Sequence, residues 1–153
     1  MKGSNLLFLS SWVILLVVSA AIVLLSAQSL RIAYTGKADS LTREYTLSQI
    51  REQGGDEAVK AFRGRRATAA TWALAFGLLS IAVTLGPYRR GERWAWWALL
   101  ISVGLSQFLS LIRAIALATT VGAGAPGILL AFVLLALLAG VPRMFQRSLI
   151  PKV

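Results

Sequence analysis

Apolar residues along this chain gather into four long blocks, and polar residues collect between the blocks rather than alternating within them. The first block, LLFLSSWVILLVVSAAIVLLSA, covers residues 6–27. The second, ATAATWALAFGLLSIAVTLG, covers 67–86, and the third, WAWWALLISVGLSQFLSLIRAIALA, covers 94–118. The fourth opens near Pro126, whose fixed φ suits a first helical turn, and runs through GILLAFVLLALLAGV and a kink at Pro142 to residue 145. A bilayer core about 30 Å thick is crossed by roughly 20 apolar residues of helix. Four transmembrane helices are therefore expected. The first block exceeds the apolar region of about 7–15 residues found in cleaved signal peptides, so it is read as a retained helix.

Between the first two blocks lies the one sizeable polar segment, residues 28–66. TLSQ at 46–49 fits a capping box, in which a Thr hydroxyl and a Gln side chain satisfy free helix N–H groups. Gly54 and Gly55 then interrupt it, and Asp56 is placed to cap a second short helix, EAVKAFRGRR, with Val59 and Phe62 on one side. Such a helix would lie at the membrane interface before the second block; a long solvent loop is the alternative. The expected fold is all-α: a single membrane domain over 1–153, a four-helix bundle with an interfacial helical segment between helices 1 and 2. The linker TTVGAGAPG before the fourth block reads as a tight hairpin turn.

The stretch LGPYRRGERWAWWALL, residues 85–100, joins the second and third blocks. Gly86 and Pro87 are expected to end the second helix. Arg89, Arg90 and Arg93 follow on a connection too short to be a domain, and Trp94, Trp96 and Trp97 come at once. Indole combines an apolar ring with a polar N–H, so tryptophans belt the membrane–water interface. These six residues are read as interface anchors at the tip of an antiparallel hairpin, in preference to a site built on RRGER.

Composition agrees. Only 14% of residues are charged and 57% are hydrophobic, against about 25% charged in soluble domains. The net charge is +10, but the basic residues flank the apolar blocks and accompany no nucleic-acid recognition motif, so membrane lipids are the expected partner and nucleic acid is not. The chain has no cysteine and no histidine. Disulfides, thiolate nucleophiles, histidine-based metal sites and Ser-His-Asp chemistry are thereby excluded, and no cofactor or metal is expected. Positive charge in short connections favours the cytoplasm. Lys2, the hairpin tip, Arg143, Arg147 and Lys152 put both termini and the tip there. Eight basic residues in 28–66, including Arg63, Arg65 and Arg66, pull the other way.

Within the third block, Ser102, Ser106, Ser110 and Arg113 recur at helical spacing on one face, bordered by Gln107. A charge in hydrocarbon costs about 2.5–3.5 kcal/mol on insertion scales and usually finds a partner. Candidate partners for Arg113 are Asp39, Glu44, Glu52, Asp56 and Glu57, all in the polar segment; snorkelling of the guanidinium to the interface is the alternative. The second block carries a stripe of small residues, Ala69, Ala73, Gly77, Ser80 and Thr84. Small residues let helices approach closely in lipid, and the serine face of the third helix is the expected partner. These two faces are the candidate packing or ligand-binding surfaces.

So little reactive chemistry leaves a non-enzymatic reading: an accessory subunit of a membrane complex, self-associated or with a larger partner, or a binder of lipid or another apolar ligand. A small transporter is one alternative, although the first helix lacks the acid that small multidrug carriers place there. A lipid-modifying enzyme using Asp56 and Glu57 is another, although adjacent acids beside glycines are more often helix-start residues. A first helix, a polar segment ending in a short helix, and a hairpin tipped with YRRGERWAWW resemble small bacterial four-helix inner-membrane proteins of unknown function. That resemblance covers mainly residues 57–100. It implies a bacterial membrane bundle and no activity.

Overall fold

The computed structural model describes residues 2–36, 47–116 and 124–145, and every element among them is helical. Helix α1 spans Lys2–Thr35 and α2 spans Leu47–Val83. A π-helical turn, Thr84–Tyr88, extends α2. Helix α3, Arg93–Leu99, continues through a second π turn, Leu100–Gly104, into α4, Leu105–Ala116. Helix α5 spans Gly124–Phe145. Four of the resulting helical stretches are long and apolar enough to cross a membrane: Leu6–Thr35, Leu47–Tyr88, Arg93–Ala116 and Pro126–Phe145. Ile115 is 80% exposed and Leu24 70%. In water so much bare aliphatic surface would drive aggregation, whereas lipid tails solvate it. The composition is that of an integral membrane protein.

Two expected boundaries move. The first helix runs eight residues past Ala27, because Gln28–Thr35 contains no breaker and the chain stops only at Gly36, with φ 64°. The helix expected from Asp56 does not stop before the second block: it runs on without a break into the membrane-spanning part of α2, since no residue between Phe62 and Ala69 interrupts the i→i−4 ladder. The interruption expected at Gly54–Gly55 is present, with Gly55 at φ 71° and ψ −173°. Thr46 of the capping box, the linker residues 119–123, the end of the third block at 117–118, and Arg147 and Lys152 lie outside the described residues.

The hairpin turn also moves. Gly86 and Pro87 do not end the helix. Proline lacks an N–H and its ring crowds the carbonyl four residues back; a π turn relieves both, and the Arg89 N–H reaches the carbonyl of Thr84, five residues back. The reversal comes at Gly91, at φ 81°, a conformation that suits a residue without Cβ. Its N–H bonds Tyr88 O at 2.9 Å, and the Glu92 N–H bonds Pro87 O at 3.0 Å.

The chain divides into two compact units. One comprises Met1–Ala20 with Leu78–Val153 and gathers segments of all four spans into a helical bundle. Its core is formed by residues such as Leu15, Tyr88, Leu99, Val133 and Leu137. Helix α3, the second π turn and α4 pack along α5.

The other unit, Ala21–Gly77, is an antiparallel pair made by the C-terminal part of α1 and most of α2. Gly77 lies so close to α1 that a Cβ there would stand 2.8 Å from Val23 Cγ2 and 3.3 Å from the backbone nitrogen of Val23. The glycine of the small-residue stripe therefore serves close helix approach as expected, but its partner is the first helix rather than the third. Farther along, Arg66 Nε donates to Ser29 Oγ at 3.1 Å. Arg63 reaches the last carbonyls of α1: Nε donates to Ala33 O at 2.7 Å and Nη2 to Tyr34 O at 2.6 Å.

Candidate functional site

The described groups with the densest polar and aromatic contacts lie at one end of the first unit. The N-terminal part of α1, the turn after α2, the start of α3 and the end of α5 meet there. Tyr88 is fully buried and stacks on Phe8 with ring centroids 5.7 Å apart. Its hydroxyl meets Ser11 Oγ, and Ser11 Oγ donates to the carbonyl of Ala136 at 2.6 Å. A serine hydroxyl has one proton. Because it goes to Ala136, the Tyr88 hydroxyl donates to Ser11. This relay ties three spans together through groups that would otherwise be unsatisfied in a dry core. Gly140 lies against it: a Cβ there would run into the Tyr88 hydroxyl and stand 3.0 Å from Ser11 Oγ. One turn before Tyr88, Thr84 is fully buried, and its Oγ1 has no hydrogen-bond partner among the described residues.

The arginines of the tip divide into three roles. Arg93 Nε donates to Met144 O at 3.1 Å, and its guanidinium lies 5.7 Å from the centre of the Phe145 ring. A cation thus sits on the carbonyl end of α5, where the helix dipole favours it. Among the described residues, Arg90 makes only an exposed contact of 4.0 Å with Glu92, a geometry that contributes little. Arg89 lies over Trp12, 5.2 Å from the ring centre, and Arg143 lies over Phe8 at 4.3 Å. Together with Leu9, these four residues line a cleft of about 190 Å³.

The tryptophans also differ among themselves. Trp94 and Trp97 are exposed, and Trp94 Nε1 donates to Glu92 Oε2 at 2.6 Å. Trp96 points inward instead. Its Nε1 donates to Leu137 O at 2.9 Å, and its ring meets Trp97 and Phe145 edge-on at 4.8 and 5.6 Å. Its partner carbonyl belongs to α5, so Trp96 pins two spans together.

The serine face of the third span is more self-contained than its spacing implied. Ser102 donates to Ala98 O at 2.6 Å, Ser106 to Val103 O at 2.9 Å and Ser110 to Ser106 O at 2.9 Å. Bonded back to their own helix, these hydroxyls need no partner from a neighbour. The face turned to the core is Ala95, Leu99, Val103, Gly104 and Ala114. Gln107 is half-buried and Arg113 exposed. Of the acids considered for Arg113, Asp56 is engaged by Arg51 Nε at 2.8 Å, Glu52 and Glu57 are exposed, and Asp39 and Glu44 lie outside the described residues. In the small-residue stripe Ser80 is buried, Ala73 half-buried and Ala69 exposed.

The Ser11–Tyr88 relay was not foreseen. Its partners stand 77 positions apart, and the available signal was a serine in an apolar run plus a tyrosine beside a Gly-Pro pair. Comparison with protein families, with curated proteins and with solved structures finds no match to this chain.

Proposed function

We propose that this is a non-enzymatic integral membrane protein that holds a lipid chain, or an apolar ligand of similar shape, against its third and fourth spans. It does so alone or as the accessory subunit of a membrane complex. The observation that carries this reading is a groove of about 340 Å³ in the first unit, lined by Leu100, Ile101, Gly104, Leu105, Phe108, Leu130 and Leu134. Ligand pockets commonly fall near 300–1,000 Å³. The groove has a local cause. The π turn at Leu100–Gly104 widens the helix, and Gly104 contributes no side chain to fill the space.

In this reading the membrane is a bacterial inner membrane, a proposal that rests on the resemblance of residues 57–100 alone. Both termini face the cytoplasm. Contacts of Phe8 and Trp12 with Arg143 and Arg89 bring the start of α1, the hairpin tip and the end of α5 to one end of the first unit. Arg89, Arg90, Arg93 and Arg143 concentrate positive charge at that end, which the positive-inside rule assigns to the cytoplasm.

The reading predicts that protein purified in mild detergent retains one apolar molecule, enriched over bulk lipid, detectable by native mass spectrometry. Leu134→Trp, which narrows the groove, should release it while leaving the helical content unchanged. Retention of the same molecule by that variant, or no enrichment at all in the wild type, would sink the groove reading. A stoichiometric co-purifying protein would identify the accessory-subunit form.

A further inference from the structure

We propose that the cleft between Arg89 and Arg143 binds a phosphate group, as carried by the headgroup of an anionic phospholipid or by a free phosphate ion. This site is separate from the apolar groove and does not depend on it. Each guanidinium is already held over an aromatic ring, Arg89 over Trp12 and Arg143 over Phe8. Residues 8 and 12 are one helical turn apart on α1, so the two rings lie along one face and present both cations to the same cleft of about 190 Å³. A cation–π contact holds a cation in place without neutralising its charge.

The cleft lining, Phe8, Leu9, Trp12, Arg89 and Arg143, contains no carboxylate, and neither arginine takes part in an ion pair among the described residues. The neighbouring charged groups of the tip are otherwise engaged. Glu92 accepts from Trp94 and contacts Arg90, and Arg93 donates to Met144 O. Two cations converge beside apolar and aromatic walls at the end of a membrane bundle, and no anion of the described chain answers them. Guanidinium groups offer forked N–H donors that match phosphate oxygens. Phe8, Leu9 and Trp12 flank them with surface suited to the glycerol and upper acyl carbons of a lipid. A phosphate carrying two chains therefore fits the cleft in both charge and polarity.

Full-length protein in an uncharged detergent would be titrated with phosphatidylglycerol, with a diacylglycerol of the same chains and with inorganic phosphate, and binding read by native mass spectrometry. One phosphatidylglycerol is expected to bind preferentially per chain, with diacylglycerol at least about 10-fold weaker, the scale of one lost charge-assisted contact. Arg89→Gln with Arg143→Gln should weaken phosphatidylglycerol binding at least as much, whereas Arg90→Gln should leave it near wild type. Displacement of the lipid by millimolar inorganic phosphate identifies the phosphate itself as what is read; resistance to displacement identifies the intact lipid. Wild-type binding by the double variant, or an equal loss in Arg90→Gln, overturns the site. Should the double variant not fold, a phosphatidylglycerol with a photoreactive headgroup decides on the wild type. Labelling at residues 8–12, 89 and 143 supports the site, and labelling elsewhere overturns it.

Discussion

Replacing Gly140 with alanine should lower the thermal stability of the detergent-solubilised protein markedly, although alanine is the better helix former by about 1 kcal/mol. The new methyl has nowhere to go. Its carbon would collide with the Tyr88 hydroxyl, lie 3.0 Å from Ser11 Oγ and 3.3 Å from Tyr88 Cζ. None of these is a movable chain end: Tyr88 is fully buried and stacked on Phe8, and Ser11 is held to Ala136 O. Overpacking of this kind costs about 1–3 kcal/mol, and displacing the Tyr88 hydroxyl from Ser11 adds about 1 kcal/mol. After the propensity gain, a net loss of roughly 1–3 kcal/mol is expected.

Two comparisons isolate the cause. Gly86→Ala and Gly64→Ala meet nothing within 4 Å, so both should be neutral or mildly stabilising. Tyr88→Phe removes the oxygen that the methyl strikes. The double variant Gly140→Ala, Tyr88→Phe should then be more stable than the sum of the single effects by about 1 kcal/mol, the size of coupling seen between touching residues. Thermal unfolding followed by circular dichroism measures all four corners of the cycle. Strict additivity would show that the hydroxyl and the glycine do not share the space described.

That relay marks the limit of what the sequence reveals. The spans were legible because lipid imposes a length and an apolar composition that few other environments require. The clustering of arginine and tryptophan at the tip was legible for the same reason. Direction within the cluster was not. Trp94, Trp96 and Trp97 are alike in sequence, yet only Trp96 faces a carbonyl of another helix, and helical spacing fixes relative angles without saying which angle is inward. Pro87 misled because its usual effect on an α-helix is a break, whereas a π turn absorbs both its missing donor and its ring. Ser102, Ser106 and Ser110 misled because a serine in lipid has a local alternative: it can return its proton to the preceding turn. Gly77 was read correctly as a point of close approach, but residue size alone carries no information about which neighbour approaches.

The second large effect is expected at Arg63, which the sequence offered only as one of several basic residues beside the second span. Its guanidinium completes the end of α1. A helix leaves its last four carbonyls without N–H partners. Gly36, in the left-handed region at φ 64°, turns its N–H back to Ile32 O at 3.0 Å, the single-bond glycine cap. Of the three carbonyls left, Ala33 O and Tyr34 O each receive one N–H from Arg63. It also brings a positive charge to the negative end of the dipole. Hydrogen bonds from a charged donor contribute about 1.5–3 kcal/mol when shielded. Tyr34 is 70% exposed, so water can replace part of what is lost, and Arg63→Met should cost roughly 1–2 kcal/mol. Arg63→Lys should recover only part of this, because one ammonium cannot reproduce a planar fork directed at two successive carbonyls. Arg66→Met, which loses one neutral acceptor in Ser29, should cost less than Arg63→Met. Hydrogen–deuterium exchange gives the decisive reading. In Arg63→Met the amides of residues 32–36 should exchange faster as the last turn frays, while those near Ser11 and Leu15 keep their protection. Unchanged exchange at the helix end would mean that Gly36 alone terminates α1, and equal acceleration along the whole helix would point to global unfolding rather than loss of a cap.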